Sequence, residues 1–255
     1  MANHSLRSIF DRDTTTITPG AGSPLDVLLI EKLGFELAYL SGYCVAAQRY
    51  GVPDIGLIAF REMRETVEAV CDVTSIPLIV DCDTGYGDVL NVRAAVRAME
   101  QAGAAALQFE DQTWPKRCGH MQAKTVEPVE VLVRKVRAAV EARRSDNLVI
   151  IARTDAQEIL GFDEALRRCK AYKEAGADAV MMHGAHSREH RERLAAEVPG
   201  IHFASIGEGE QDLSFDELKA LGYPIVVLPS SPLRHSLHAV ENYLTHVRDH
   251  HEVGP

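Results

Sequence analysis

The chain offers little from which to build a disulfide framework or a zinc finger. Its five cysteines, Cys44, Cys71, Cys82, Cys118 and Cys169, are an odd set without close pairs or metal-type spacing, which reads as a reduced, cytoplasmic protein. Positive charge is scarce as well. With 27 Lys and Arg against 37 Asp and Glu the formal charge is −10, so neither nucleic acid nor an anionic membrane is expected as a partner. Small anionic substrates answer to a local site and stay open. There is no apolar run long enough to cross a bilayer and no signal-peptide core. No Gly-x-Gly-x-x-Gly fingerprint stands at the first strand-to-helix turn, which argues against a doubly wound dinucleotide-binding sheet. Aromatic residues make up 6%, with Trp114 as the one tryptophan.

What is present is an alternation. Short apolar, β-rich runs recur at 14–18, 35–40, 76–80, 104–109, 148–152, 179–182, 201–204 and 225–228. Between them lie amphipathic stretches with helical spacing at 24–33, 61–72, 89–101, 128–143, from an Asp163 cap to the stop at Ala175-Gly176, at 214–221 and at 233–248. The run at 76–80 is nearly all apolar, as a parallel strand covered on both faces should be. Eight strands alternating with helices predict an α/β protein with a (β/α)8 TIM-type barrel, in one domain over residues 1–255. The closing run from His246 to His251 reads as a solvated helix end in preference to a metal site.

Reactive residues sort to one end of that pattern. Ser41, Asp81, Asp83, Glu110, Arg153 and His183 all fall at predicted C-terminal strand ends, the face on which barrel enzymes build their sites. Asp81 and Asp83 are two apart, so strand alternation would point both to one side and Cys82 to the other. With Glu110 and Asp54 they make four carboxylates, hard oxygen donors suited to Mg²⁺, with Mn²⁺ as the alternative ion. Asp81 is expected to ligate directly and the others to hold metal-bound water. The competing reading is that these acids cap turns. Cys118 stands beside Lys116 and Arg117 with His120 close by, and the neighbouring cations are expected to favour its thiolate. A free cysteine in a basic surface loop is the bland alternative. Arg153 suits a carboxylate or phosphoryl clamp, or a pair with a nearby acid.

The stretches Ser41-Gly42, Asp81 to Gly87, Glu110-Asp111, Pro115 to His120 and Arg153 to Ala156 together resemble the isocitrate lyase/phosphoenolpyruvate mutase superfamily, in the right order from about Pro19 to about Pro229. The Lys116-Arg117-Cys118-Gly119-His120 run is the most specific part. It is similar to the catalytic loop of the branch that cleaves carbon–carbon bonds and to that of a carboxyphosphonoenolpyruvate mutase. The resemblance implies Mg²⁺ surrounded by Asp54, Asp81, Asp83 and Glu110. It implies a small carboxylate or phosphonate substrate held by Tyr39, Ser41, Gly42 and Tyr43, with Arg153, His183 and Ser205 in the pocket, and an active-site lid at about 111–125. In a lyase, Cys118 on that lid would donate a proton, with Lys116, His120 and Arg153 assisting. His183 instead resembles the phosphonate enzymes, and Ser205 and the segment 229–232 depart from the lyase pattern. Carbon–carbon lyase, phosphonomutase or phosphonopyruvate hydrolase, and oxaloacetate decarboxylase are the enzymatic readings, beside a non-catalytic keto-acid binder. The family also implies a homotetramer exchanging the helix at 233–248.

Overall fold

The computed structural model describes residues 6–10, 12, 14–207 and 213–254. Eight parallel strands close into a barrel in sequence order. They are β1 (Thr16–Ala21), β2 (Ala38–Leu40), β3 (Leu78–Asp81), β4 (Ala106–Glu110), β5 (Val149–Thr154), β6 (Ala179–Met182), β7 (Ile201–Ser205) and β8 (Ile225–Leu228). The helices are α1 (Arg7–Phe10), α2 (Pro24–Lys32), α3 (Gly42–Val45), α4 (Phe60–Cys71), α5 (Val89–Gln101) and α6 (Val129–Ala142), then α7 (Ala156–Leu160), α8 (Phe162–Glu174), α9 (Arg188–Glu197), α10 (Phe215–Ala220) and α11 (Ser231–His250). The expected fold class is therefore the observed one. Among the described residues no helix is long and apolar enough to cross a membrane.

Alternation along the strands builds two apolar layers. Ile79, Ala106, Val149, Ile151, Ala179, Met181 and Phe203 turn into the barrel, while Val80, Leu107, Phe109, Ile150 and Val180 turn outward against the helices. Leu6 and Ile9, on and beside α1, join the inner layer. Phe10 meets Phe203 edge-on, with ring centroids 6.1 Å apart. Helix starts follow local chemistry: Ser23 caps α2 with Asp26 answering in a capping box, and Ser214 does the same with Glu217 for α10.

Three expectations need correction. Pro19-Gly20 does not end β1; the strand runs on to Ala21 because barrel closure pairs Pro19 with Leu228 and Gly20 with Tyr39. Glycine is needed there, since a Cβ at Gly20 would lie 2.5 Å from the carbonyl carbon of Pro229. Asp163 lies in the first turn of α8 and Gly161 is the cap residue, because α7 ends on that glycine at φ 89 and α8 begins from it. The long connection after β2 also contains α3, which runs into a widened helical turn, Ala46–Tyr50, stopped by left-handed Gly51.

Candidate active site

A cavity of about 310 Å³ opens at the C-terminal end of the barrel. Tyr39 and Ser41 of the β2 end, Asp81 of β3, Glu110 of β4 and Arg153 of β5 face it from one half. His183 after β6, Ser205 of β7, and Pro229 and Ser230 after β8 face it from the other. Asp54 and Tyr43 from the β2–α4 connection, and Lys116, Cys118 and His120 from the loop after β4, complete the wall. Of the predicted site residues, Gly42 and Asp83 do not line the cavity but stand next to Asp81 and Lys116, which do.

The acids do not converge in the expected way. β3 ends at Asp81, and Asp83 sits in a left-handed turn at φ 47, so the pair is not related by strand alternation. The turn still brings both to Gly42, where an added Cβ would stand 3.4 Å from Asp81 Oδ2 and from Asp83 Oδ1. Cys82 faces the outer layer, as expected. Lys116 reaches in from the loop and places Nζ 2.5 Å from Asp54 Oδ1 and 2.8 Å from Asp83 Oδ1. Burial pushes the Asp83 carboxyl up to about 7, with Lys116 opposing and Asp81 adding to the rise. Glu110 is pushed well up by burial too, against the pull of Arg153.

These carboxylates fit a cation. Asp81 Oδ1 and Glu110 Oε1 are buried without a hydrogen-bond partner, a costly state that a hard ion and its waters would relieve. Among the described residues no three acids, histidines or cysteines are close enough to hold an ion by themselves. The donor set therefore suits an ion such as Mg²⁺ that keeps water in its shell.

The loop after β4 lies folded over the mouth. Thr113 N donates to Thr125 O at 2.9 Å, Glu127 N to Asp111 O at 2.9 Å, and Cys118 N to Asp54 O at 2.9 Å. Arg117 is tied through its main chain, its N donating to Gln112 Oε1 at 2.9 Å and its O accepting from Gln112 Nε2 at 2.9 Å. Gly119 presses on the site so closely that a Cβ would come within 2.5 Å of Arg153 Nη2 and against His183 Nε2. Glycine alone fits that seat. The expected thiolate at Cys118 is overturned: burial holds the thiol above its ordinary value of 9.0. The cations do not rescue it, because Lys116 spends its charge on Asp54 and Asp83 while Arg117 is exposed. The other cysteines are also thiols, Cys44 donating to Pro229 O at 3.3 Å and pushed by burial up to about 12.

Arg153 turns its fork on the protein first. Nε donates to Asp155 Oδ2 at 2.9 Å and Nη2 to Asp155 Oδ1 at 2.8 Å, while Nη1 lies 3.3 Å from Glu110 Oε2. Asp155 is not among the predicted site residues; it stands just past the end of β5, two residues after Arg153. Asp111, also missed, points outward and fixes this tip: its carboxylate accepts from Thr154 Oγ1, Asp155 N, Arg168 Nη1 and Tyr172 OH at 2.7–2.9 Å. His183 is neutral, driven down to about 3 by burial and then by the charge of Arg153, and its ring lies 5.2 Å from that of His120. Tyr39 OH accepts from Gln108 Nε2 at 2.8 Å, which leaves its proton for another acceptor.

Comparison with known proteins places this geometry. A family model described as phosphoenolpyruvate phosphomutase matches residues 6–248. A 2,3-dimethylmalate lyase of Eubacterium barkeri is 38% identical over 89% of this chain and 80% of its own length. A 2-methylisocitrate lyase of Aeropyrum pernix is 38% identical over 96% of this chain and 79% of its own. Among solved structures, an oxaloacetate acetylhydrolase bound to 3,3-difluorooxalacetate superposes with a TM-score of 0.92 at 31% identity, covering 99% of this chain and 88% of its own. A phosphonopyruvate hydrolase with oxalate and Mg²⁺ reaches 0.86 at 32% identity, covering 97% and 87%. The chain belongs to the isocitrate lyase/phosphoenolpyruvate mutase superfamily.

Proposed function

We infer that the chain is a Mg²⁺-dependent carbon–carbon lyase that cleaves a small 2-hydroxy di- or tricarboxylate into an α-keto acid and a second carboxylate. The observation that carries this reading is Cys118, its thiol raised by burial, held at the cavity beside Asp54 and the cluster of buried carboxylates. Relatives named as 2,3-dimethylmalate lyase and 2-methylisocitrate lyase support it.

Asp81, with Asp54, Asp83 and Glu110 through water, would hold the ion. Bound there, Mg²⁺ would supply Lewis-acid stabilisation of negative charge on the oxygens of the keto-acid fragment. Ser41, Gly42 and Tyr43 would cradle its carboxylate, with Tyr39 donating from the barrel floor. As the bond breaks, its electron pair stays on the carbon next to the departing carboxylate, and Cys118 Sγ–H protonates that carbon. The substrate hydroxyl would give its proton to a carboxylate of the buried cluster; once products leave, that carboxyl releases it to solvent and the Cys118 thiolate takes one back, so the cycle balances. Arg153, held by Asp155, would orient charge at that end through Nη1. Loop 111–125 acts as the lid that excludes water.

A neutral His183 facing the cavity favours a second reading, phosphorus–carbon bond chemistry, as in the phosphonopyruvate hydrolase relative. Purified protein with Mg²⁺ is offered alkylmalates, methylisocitrate, oxaloacetate and phosphonopyruvate while keto acid and phosphate are followed. Keto acid from a hydroxy acid is the expected result. Phosphate from phosphonopyruvate alone would replace the first reading with the second.

Assembly belongs to the same proposal. Leu237, Val240 and Leu244 form a stripe on α11, each more than half exposed, and Leu25, Leu29 and Leu33 form another along α2. Stripes of this size ask for cover, and a second copy of the chain supplies it. Light scattering is expected to give a multiple of 28.0 kDa, four by resemblance to the family. A monomer at assay concentration would remove this part of the proposal.

A further inference from the structure

Loop 111–125 is held shut partly by a side chain that does not face the cavity. Lys124 lies near its end with 3% of the side chain exposed. A buried ammonium must be paired, and its partners show what it organises. Nζ donates to the carbonyl oxygen of Gly119 and, at 2.6 Å, to Glu158 Oε2, and it stands 3.6 Å from Asp155 Oδ1. Gly119 follows the proposed proton donor, Glu158 is on α7, and Asp155 grips Arg153. One charge thus touches the apex of the loop, the wall behind it and the carboxylate that orients the guanidinium.

We propose that Lys124 is a positioning residue whose ammonium latches the loop closed and couples closure to the setting of Arg153 through Asp155. The proposal rests on the loop being the lid of the site described above. When the loop swings out, Gly119 O loses its donor and Asp155 keeps Arg153 as its one strong partner, so the open loop loses bonds on both sides. Burial with charge-assisted hydrogen bonds is what gives such a contact weight. The latch is separate from the Lys116 ion pairs at the carboxylate cluster, so it works whichever substrate the cavity takes.

The chain carries its own reporter. Trp114, the one tryptophan, lies in this loop, 46% exposed, beside Gly56. Wild type, K124M, K124R and E158Q are titrated with Mg²⁺ and oxalate, whose adjacent carboxylates mimic an enolate. Trp114 fluorescence and tryptic cleavage at Lys116 and Arg117 are followed. In K124M, cleavage in the presence of oxalate is expected to be faster by about tenfold or more, with the Trp114 signal displaced toward its oxalate-free value. E158Q is expected to shift both readouts in the same direction by less. K124R, which keeps the charge, is expected to recover most of the protection, a rescue that general loss of packing would not give. On the substrate found for the enzyme, kcat is expected to fall more than KM changes. Wild-type protection and fluorescence in a K124M protein that melts as wild type does would overturn the latch. Should K124M fail to fold, wild-type behaviour in E158Q, altered on a half-exposed carboxylate, overturns it instead. Cleavage and fluorescence need no turnover, so a wrong substrate assignment leaves this test standing.

Discussion

Replacing Cys118 with alanine is expected to lower kcat by about 10²–10⁴-fold, the range that a positioned general acid contributes. KM should move little, since the loop is held by main-chain bonds: Cys118 N donates to Asp54 O at 2.9 Å whatever the side chain. Serine should be nearly as poor, because a hydroxyl is a far weaker acid than a thiol. The sign of the pH dependence follows from the same environment. Burial raises the thiol above 9.0, and it is the protonated form that donates, so activity should hold through neutrality and fall on the alkaline side of 9.0. A steady-state profile of wild type beside Cys118→Ser checks both points. Full-rate turnover by the serine variant would end the proton-donor assignment.

Chelation is expected to abolish turnover, and added Mg²⁺ to restore it, because the paired cations leave the carboxylate cluster acidic, with Asp81 Oδ1 and Glu110 Oε1 lacking a hydrogen-bond partner. Lys116 and Arg153 bring two cations against Asp54, Asp81, Asp83, Glu110 and the Asp155 that Arg153 already serves. The strength of binding should depend on pH in a definite direction. Asp83 in the metal-free protein is raised to about 7, so below that pH an ion must displace a proton to gain the site. Affinity should then fall by at least roughly tenfold per pH unit below 7, since Glu110, also raised by burial, adds to the slope, as calorimetric titration would measure. His183 cannot produce that slope, since its imidazole is driven down to about 3. An affinity flat through this window would detach Asp83 from the ion.

Much of this arrangement is legible in the residues. Most of the strands announce themselves as apolar-rich runs because burial on both faces favours apolar side chains, and β6 and β8 fall at the expected residues, while β1 is rich in threonine and Gln108 and His202 interrupt β4 and β7. The tips are legible for the same reason, as polarity returns where the barrel ends. What escapes is short, weakly amphipathic or long-range: α9 has ten residues, but only Arg191 and Leu194 on it are buried, so no apolar stripe marks it. α1, α3 and α7 have four or five residues, too few to show a helical period. The turn at Asp83 depends on a left-handed backbone that a spacing rule cannot foresee. The acidity of Cys118 goes astray for a related reason: sequence places Lys116 and Arg117 beside it, whereas folding commits one to Asp54 and Asp83 and leaves the other in solvent. Asp111 reads as a companion of Glu110, yet its bonds to Arg168 and Tyr172 span 57 and 61 residues.

One helix joins the cavity to the far surface. Ser230 and Arg234, at the cap and first turn of α11, line the cavity, while the exposed stripe runs on toward His250. Twenty residues of helix form a rod roughly 30 Å long. Leu233, buried next to Arg234, anchors this rod at its cavity end while most of its length stands in solvent. The face that calls for cover and a wall of the pocket thus belong to one continuous helix.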